Sequence, residues 1–165
     1  MSSSTPEALT AAVLTVSDSS ARGERSDLSG PALAEALRKG GFTVVATEII
    51  SDDQIPIQQA IARLAGKARL IVTTGGTGIA KRDVTPEASR AVCDRLLEGV
   101  AEKMRLEGGK KTRFAALSRG ICGVRGESVI VNVPGSPAGA VDSLNAVIDL
   151  MPHALQLLSG NTKHQ

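Results

Sequence analysis

Apolar positions fall along the chain in short blocks whose spacing alternates between two rhythms. Ala11 to Ser17 (AAVLTVS) is a continuous apolar run, the pattern of a strand buried on both faces. Phe42 to Ile50 is rich in Val, Thr and Ile, which predicts a second strand. Ala68 to Thr74 (ARLIVTT) predicts a third, and Val129 to Val133 another, entered through a turn at Glu127-Ser128. Between these runs the spacing widens to the helical period. Leu33 and Leu37 recur in a segment that ends at Arg38, opened by Ser29-Gly30-Pro31 and closed by Gly40-Gly41. Ser29 or Gly30 is the expected cap, and Pro31 has no N–H to lose in a first turn. Pro56 opens a helix that carries Ile57, Ile61 and Leu64 on one face. Thr85-Pro86-Glu87 predicts another, with Thr85 as cap, Pro86 first and Glu87 at the positive end of the dipole. That helix is expected to reach about Leu97. Further helices are expected over Val100 to Leu106 and briefly from Phe114 to Leu117, and Ala138 to Met151 with Pro152 to Leu158 reads as one interrupted helix or two in succession.

Alternating strands and helices predict an α/β sandwich with a mostly parallel sheet. In such sheets ligands bind in loops beyond the carboxyl ends of the strands. No repeat or internal linker interrupts the pattern. The expectation is one domain over residues 11–158, a flexible leader over 1–10 and a polar tail over 159–165.

Composition narrows the function. The 165 residues suit a single compact domain, and 42% hydrophobic content excludes a disordered chain. Charge is nearly balanced, at 19 basic against 17 acidic residues, so no electrostatic footprint for nucleic acid exists. There is no Trp or Tyr, and the two aromatics, Phe42 and Phe114, are too few for base stacking. The core must be aliphatic. Cys93 and Cys122 form no C-x-x-C pair and no zinc spacing, which predicts a reduced, cytoplasmic protein. No run approaches the ~20 apolar residues of a membrane span, and the first ten residues lack a signal-peptide pattern.

The most informative segment is Thr73 to Ala88, TTGGTGIAKRDVTPEA. A strand runs into Gly75, Gly76, Thr77 and Gly78, then Arg82 and Asp83, then a helix start. Glycines allow close backbone approach, and consecutive N–H groups form an anion-binding concavity. Arg82 can neutralise a phosphate, and Asp83 can hold a hard cation. A tight strand-to-helix connection without a ligand is the competing reading. Gly76-x-Gly78 lacks the third glycine of a dinucleotide fingerprint, and no G-x-x-x-x-G-K-[ST] occurs. Asp52 and Asp53 follow the second strand, where a carboxylate can share Mg²⁺ with Asp83 or simply cap the next helix. Pro134-Gly135-Ser136-Pro137 follows the last strand, where it is either a ligand loop or a rigid turn. Lys110, Lys111, Arg113 and Arg119 form a basic cluster around Ser118, open to ligand or to solvent. His153 and His164 are isolated, and no G-x-S-x-G elbow supports a hydrolase.

Four segments in order resemble the MogA/MoaB family of molybdenum-cofactor biosynthesis proteins: TVSDSSARGERSDLSGPAL (15–33), TTGGTGIAKRDVTPEA (73–88), ALSRGICGVRG (116–126) and NVPGSPAGAV (132–141). The same domain type occurs in gephyrin, in the MoeA-type insertase and in CinA-like proteins. The resemblance implies a three-layer α/β/α domain that commonly trimerises. It implies Mg²⁺-dependent transfer of AMP from ATP to molybdopterin, release of pyrophosphate, and hand-over to a MoeA-like insertase. Asp83 matches a family aspartate required for transfer, and Asp52 matches the other; both are expected to hold Mg²⁺. Ser17 and Asp18, Gly75 to Gly78, Arg82, Ser118 and Arg119, and Gly135 and Ser136 match ligand-contacting positions. Ser51 stands where the family usually has Pro, and Gly108 where relatives often carry Ser. The Arg82-Asp83 pair favours the transferase branch over a MoaB-like pterin binder. The short chain argues against a CinA-like nucleotide hydrolase.

Overall fold

The structure, a computed structural model, describes residues 8–160. Most of the expected leader and the last five residues of the expected tail lie outside them. Among the described residues six strands form one sheet, in the order β2-β1-β3-β6-β5-β4. The strands are β1 (Thr10–Val16), β2 (Thr43–Ile50), β3 (Leu70–Thr74), β4 (Arg95–Leu96), β5 (Cys122–Arg125) and β6 (Ser128–Val133). Pairings β1–β2, β1–β3 and β3–β6 are parallel; β5 runs antiparallel to β6 and to β4. The helices are α1 (Asp18–Ala21), α2 (Ser29–Lys39), α3 (Gln54–Ala65), α4 (Thr85–Val92), α5 (Glu98–Gly109), α6 (Pro137–Val147) and α7 (Met151–Leu158).

Strand side chains alternate between two cores, which makes the three layers. Ala11, Val13, Leu70, Val72, Val129 and Val131 face one, covered by α2, α5, α6 and α7 through residues such as Leu33, Leu37, Leu144 and Leu155. Ala12, Leu14, Ile71 and Ile130 face the other, covered by α3 and α4 through Ile57, Ile61, Leu64 and Ala88. Burial on both faces explains why β1, β3 and β6 read as unbroken apolar runs. Of the two aromatics, Phe42 is buried and Phe114 is exposed.

Several expected boundaries move. The helix expected to reach Leu97 stops at Val92, because Cys93 turns extended and the Asp94 N–H donates to the Val124 carbonyl (2.7 Å). The chain then pairs as the short β4 against β5, across the intervening α5, a strand that the hydrophobic pattern did not announce. Cross-strand pairing here overrides helical propensity. The helix expected over Val100 to Leu106 extends to Glu98–Gly109, and the loop after β1 contains the one-turn α1. Caps also differ. Asp27, not Ser29 or Gly30, accepts from the Gly30 N–H (2.9 Å) at the start of α2. The Thr85 hydroxyl donates to the Gly75 carbonyl (2.9 Å) instead of capping α4.

A buried polar network crosses the core at β6. Asn132 on β6 donates to the hydroxyls of Thr73 (2.8 Å) and Ser89 (2.9 Å), and its oxygen accepts from the Ile121 N–H (3.1 Å). The network ties β3, α4 and the approach to β5 to β6. A satisfied buried network fixes register, and a half-satisfied one is costly. Asn132→Leu is therefore expected to destabilise the fold by about 3 kcal/mol, because two hydroxyls and an N–H lose their partner. Urea denaturation of the two proteins measures the difference.

Candidate functional site

The carboxyl ends of β1, β2, β3 and β6 lie on one edge, so the loops that follow them converge. β1 sits between β2 and β3, and such a reversal of strand order opens a crevice. The Gly-rich loop enters it at unusual backbone angles, with Gly75 at φ +96 and Gly76 at φ +68. A Cβ at Gly75 would collide with the Val16 carbonyl, and one at Gly76 with the Thr85 hydroxyl. Only glycine meets both demands. Thr85 holds the loop from below, its hydroxyl on Gly75 O and its N–H on Gly76 O (3.1 Å). The Thr74 hydroxyl donates to Pro134 O (2.7 Å), which joins this loop to the Pro134–Pro137 loop.

Asp52 and Asp18 are cross-locked. The Asp18 N–H donates to Asp52 Oδ2 (2.8 Å), and the Asp52 N–H donates to Asp18 Oδ1 (3.0 Å). Asp52 Oδ1 lies toward Gly76, 3.3 Å from where that glycine's Cβ would stand. Burial raises the Asp52 pKa; the Asp18 N–H opposes this, and the charges of Asp18 and Asp83 add to it. Asp83 closes the other side of the loop, with Oδ2 accepting from the Ala80 N–H (3.0 Å). Asp53 precedes α3 without a side-chain cap hydrogen bond, so the capping reading of the Asp52-Asp53 pair does not hold.

Arg82 bridges the same region. Its guanidinium grips Asp18 through Nε (2.6 Å) and Nη2 (2.9 Å), and Nη2 also reaches Asp53 (3.2 Å). This pairing, with the Asp52 N–H, holds the Asp18 carboxyl down at about 2. Arg119 is a brace. Its Nε donates to Gly78 O (2.8 Å), Nη2 to Asp83 O (2.7 Å) and Nη1 to the Glu87 carboxylate (2.9 Å), while its N–H donates to Thr77 O (2.8 Å). It thereby staples the loop of Thr77 to Asp83 onto α4.

Two cavities flank these loops. One, of about 400 Å³, is largely apolar and is lined by Gly78, Ile79, Met104, Phe114 and Leu117, with Ser118 and Ser136 among its polar groups. The other, of about 340 Å³, is lined by Ser17, Gly75, Gly135 and Ser136 together with Arg25 and Asp27. Ser136 lines both, and its hydroxyl accepts from the Gly139 N–H (3.3 Å) at the start of α6. The Pro134–Pro137 segment is thus both a cavity wall and a rigid helix entry. The basic cluster divides: Lys110 pairs with Glu107 at 3.1 Å, whereas Lys111 pairs with Asp142 (2.8 Å) at the first cavity.

Sequence reasoning passed over Asp27, Asn132 and Asp142. Asp27 accepts from the Thr15 hydroxyl (2.8 Å) as well as from Gly30, and its position three residues before Gly30 is a capping signal. Nothing local marks Asn132 or Asp142, whose partners are distant in sequence. No group of three or more His, Cys, Asp or Glu that could hold a metal exists among the described residues. Two carboxylates completed by substrate phosphates are the usual Mg²⁺ arrangement, and Asp52 and Asp83 with one uncommitted oxygen each fit it.

The sequence profile described as "Probable molybdopterin binding domain" matches residues 12–153. The chain belongs to this molybdopterin-binding family of MogA and MoaB. It is 49% identical to the molybdopterin biosynthesis enzyme MoaB of Thermus thermophilus, with a TM-score of 0.86 over 92% of this chain and 97% of that one. It is 38% identical over 153 residues to the molybdopterin adenylyltransferase of Helicobacter pylori, covering 90% of this chain and 87% of the relative. It also matches the molybdenum cofactor synthesis protein cinnamon of Drosophila melanogaster at 38% identity, over 92% of this chain, spanning only 26% of that longer protein.

The Asp18–Arg82 pair makes a pH prediction. A depressed folded-state pKa means that the pair's contribution is fully present above the ordinary Asp range and is lost as pH falls toward about 2. Carboxyl-carbon NMR of the protein is expected to show Asp18 titrating near 2. A midpoint in the ordinary Asp range would mean that the pair does not form in solution.

Proposed function

We propose that this chain transfers AMP from Mg-ATP to the terminal phosphate of molybdopterin. The observation that carries the reading is the placement of Asp52 and Asp83 on either side of the Gly75–Gly78 loop, beside a largely apolar cavity of about 400 Å³. A cavity of that size and character suits a flat heterocycle. The loop supplies N–H groups for phosphate oxygens. A phosphate oxygen of molybdopterin forms a bond to the α-phosphorus of ATP, the bond from that phosphorus to the β-phosphate bridging oxygen breaks, and pyrophosphate leaves. Bound Mg²⁺ supplies charge compensation on the phosphates. Asp52 and Asp83 are the residues that would hold it; their mutual repulsion, part of what raises the Asp52 pKa, favours a cation between them. Arg82 positions phosphates by exchanging its carboxylate partners for them. Arg119 keeps Asp83 and the glycine loop in register, Ser17, Ser118, Gly135 and Ser136 line the two cavities, and Asp18 and Thr77 sit in the adjoining loops. No covalent enzyme intermediate is required, since positioning and electrostatics suffice.

We further assign the chain to a homotrimer in the cytoplasm that delivers its product to a MoeA-like insertase. Exposed Val45 and Ile49 on the edge strand β2 support self-association. The free thiols of Cys93 and Cys122 support a reducing compartment, and no helix among the described residues is long and apolar enough to cross a membrane.

Pyrophosphate release from Mg-ATP is expected only when molybdopterin is present. Asp83→Asn is expected to reduce it by about a hundredfold or more while leaving pterin binding largely intact. Full activity in that variant overturns the role of Asp83. Tight pterin binding without any pyrophosphate would make the protein a MoaB-like binder. Pyrophosphate or nucleotide fragments released without pterin would point to the hydrolase reading.

A further inference from the structure

The apolar cavity holds one carboxylate among its described lining residues, Asp142 on the second turn of α6. The other side-chain oxygens there, apart from Ser143, each already accept one backbone N–H, and none offers two parallel charged oxygens. Asn132 Oδ1 accepts from the Ile121 N–H, Ser118 Oγ from Gly120, Ser136 Oγ from Gly139 and Thr112 Oγ1 from Phe114. Arg105 and Lys111 are donors only. Asp142 Oδ1 is occupied by the Lys111 ammonium (2.8 Å), and Oδ2 has no partner among the described residues. The pair is open to solvent, with 65% of the Lys111 and 38% of the Asp142 side chain exposed. Such a pair is weak and readily exchanged.

A carboxylate is an acceptor with two parallel oxygens. Its chemical complement is a planar group with two adjacent N–H donors. The 2-amino-4-oxo pyrimidine edge of a pterin presents that pair, at the ring amino group and N3. We propose that Asp142 is the specificity-determining residue for this edge, and that Lys111 occupies its place until the heterocycle enters. The proposal rests on the molybdopterin reading above and deepens it by naming the group that tells a 2-aminopterin from other bicyclic heterocycles. A purely apolar slot would accept any ring of the right shape, and the Asp142 carboxylate adds the paired acceptor that tells one edge from another.

The test uses two small probes, pterin (2-amino-4-oxo) and lumazine (2,4-dioxo), which differ at the edge in question. Their own fluorescence anisotropy reports binding, undisturbed because the chain has no Trp or Tyr. The wild-type protein is expected to prefer pterin by about ten- to a hundredfold, the worth of a hydrogen bond to a charged group. Asp142→Asn replaces one acceptor with a donor, so it is expected to reverse the preference toward lumazine, whose 2-oxo group accepts. A merely structural role would weaken both probes alike. Lys111→Ala removes the competing ammonium and is expected to keep or sharpen the preference for pterin. In the pyrophosphate assay, Asp142→Asn is expected to raise the KM for molybdopterin about tenfold or more and leave the KM for Mg-ATP unchanged. Equal binding of both probes by the wild-type protein, or an unaltered preference in Asp142→Asn, overturns the proposal. If pyrophosphate release with molybdopterin persists in that case, the transferase reading stands alone. If neither probe binds and no pyrophosphate appears, both readings fall.

Discussion

The Gly75 backbone lies against the Val16 carbonyl with no room for a side chain, and a Cβ at Gly135 would stand only 3.3 Å from Gly75 Cα. This approach lets the loops after β1, β3 and β6 meet at one place. A larger residue at Gly75 would push the β3 loop off the sheet edge, and with it the donors and carboxylates it carries. The rest of the site follows from this constraint. Thr85 can reach Gly75 and Gly76, Thr74 can reach Pro134, and Arg119 can span from Gly78 to Asp83 only because the loop lies this low.

Charge is arranged in the opposite spirit to packing. The fold gathers Asp18, Asp52, Asp53 and Asp83 near one loop and balances them with Arg82. The carboxylate closest to that guanidinium is held strongly ionised, whereas burial works against the ionised form of Asp52. The cross-lock of Asp18 and Asp52 fixes one oxygen of Asp52 and leaves the other toward the glycines. A site of this kind is kept in shape by backbone N–H groups and stays receptive to cations.

Of the four parallel strands, β1, β3 and β6 were legible because burial on both faces writes itself as apolar runs, and the edge strand β2 because of its Val, Thr and Ile content; Gly-Gly and Pro-Gly mark the loops. β5 was not legible. Cys122-Gly123-Val124-Arg125 carries no strand pattern of its own, and the glycine is explained by Cys93 and the Arg95 carbonyl, which fill the space beside it. β4 was hidden for the same reason: its order comes from a partner strand distant in sequence. At the site, the loops and their carboxylates stood out in the sequence. Their wiring did not, since the bracing by Arg119 and the pairing of Lys111 with Asp142 join residues 31 or more positions apart. Neither arrangement has a local pattern.

The cysteines give the fold one more property. Burial pushes the Cys93 thiol up to about 11 and the Cys122 thiol to about 12, with the charge of Asp94 adding to the first. At neutral pH a thiol at 11 is ionised in only about one molecule in ten thousand. Neither cysteine is therefore primed as a thiolate nucleophile at neutral pH. Neither cysteine lines the two cavities beside the glycine loop, so a ligand that carries a dithiolene can be held there away from the protein's thiols. The aliphatic, thiol-silent interior acts as chemical insulation, leaving the ligand's two sulfurs as the reactive ones in the complex.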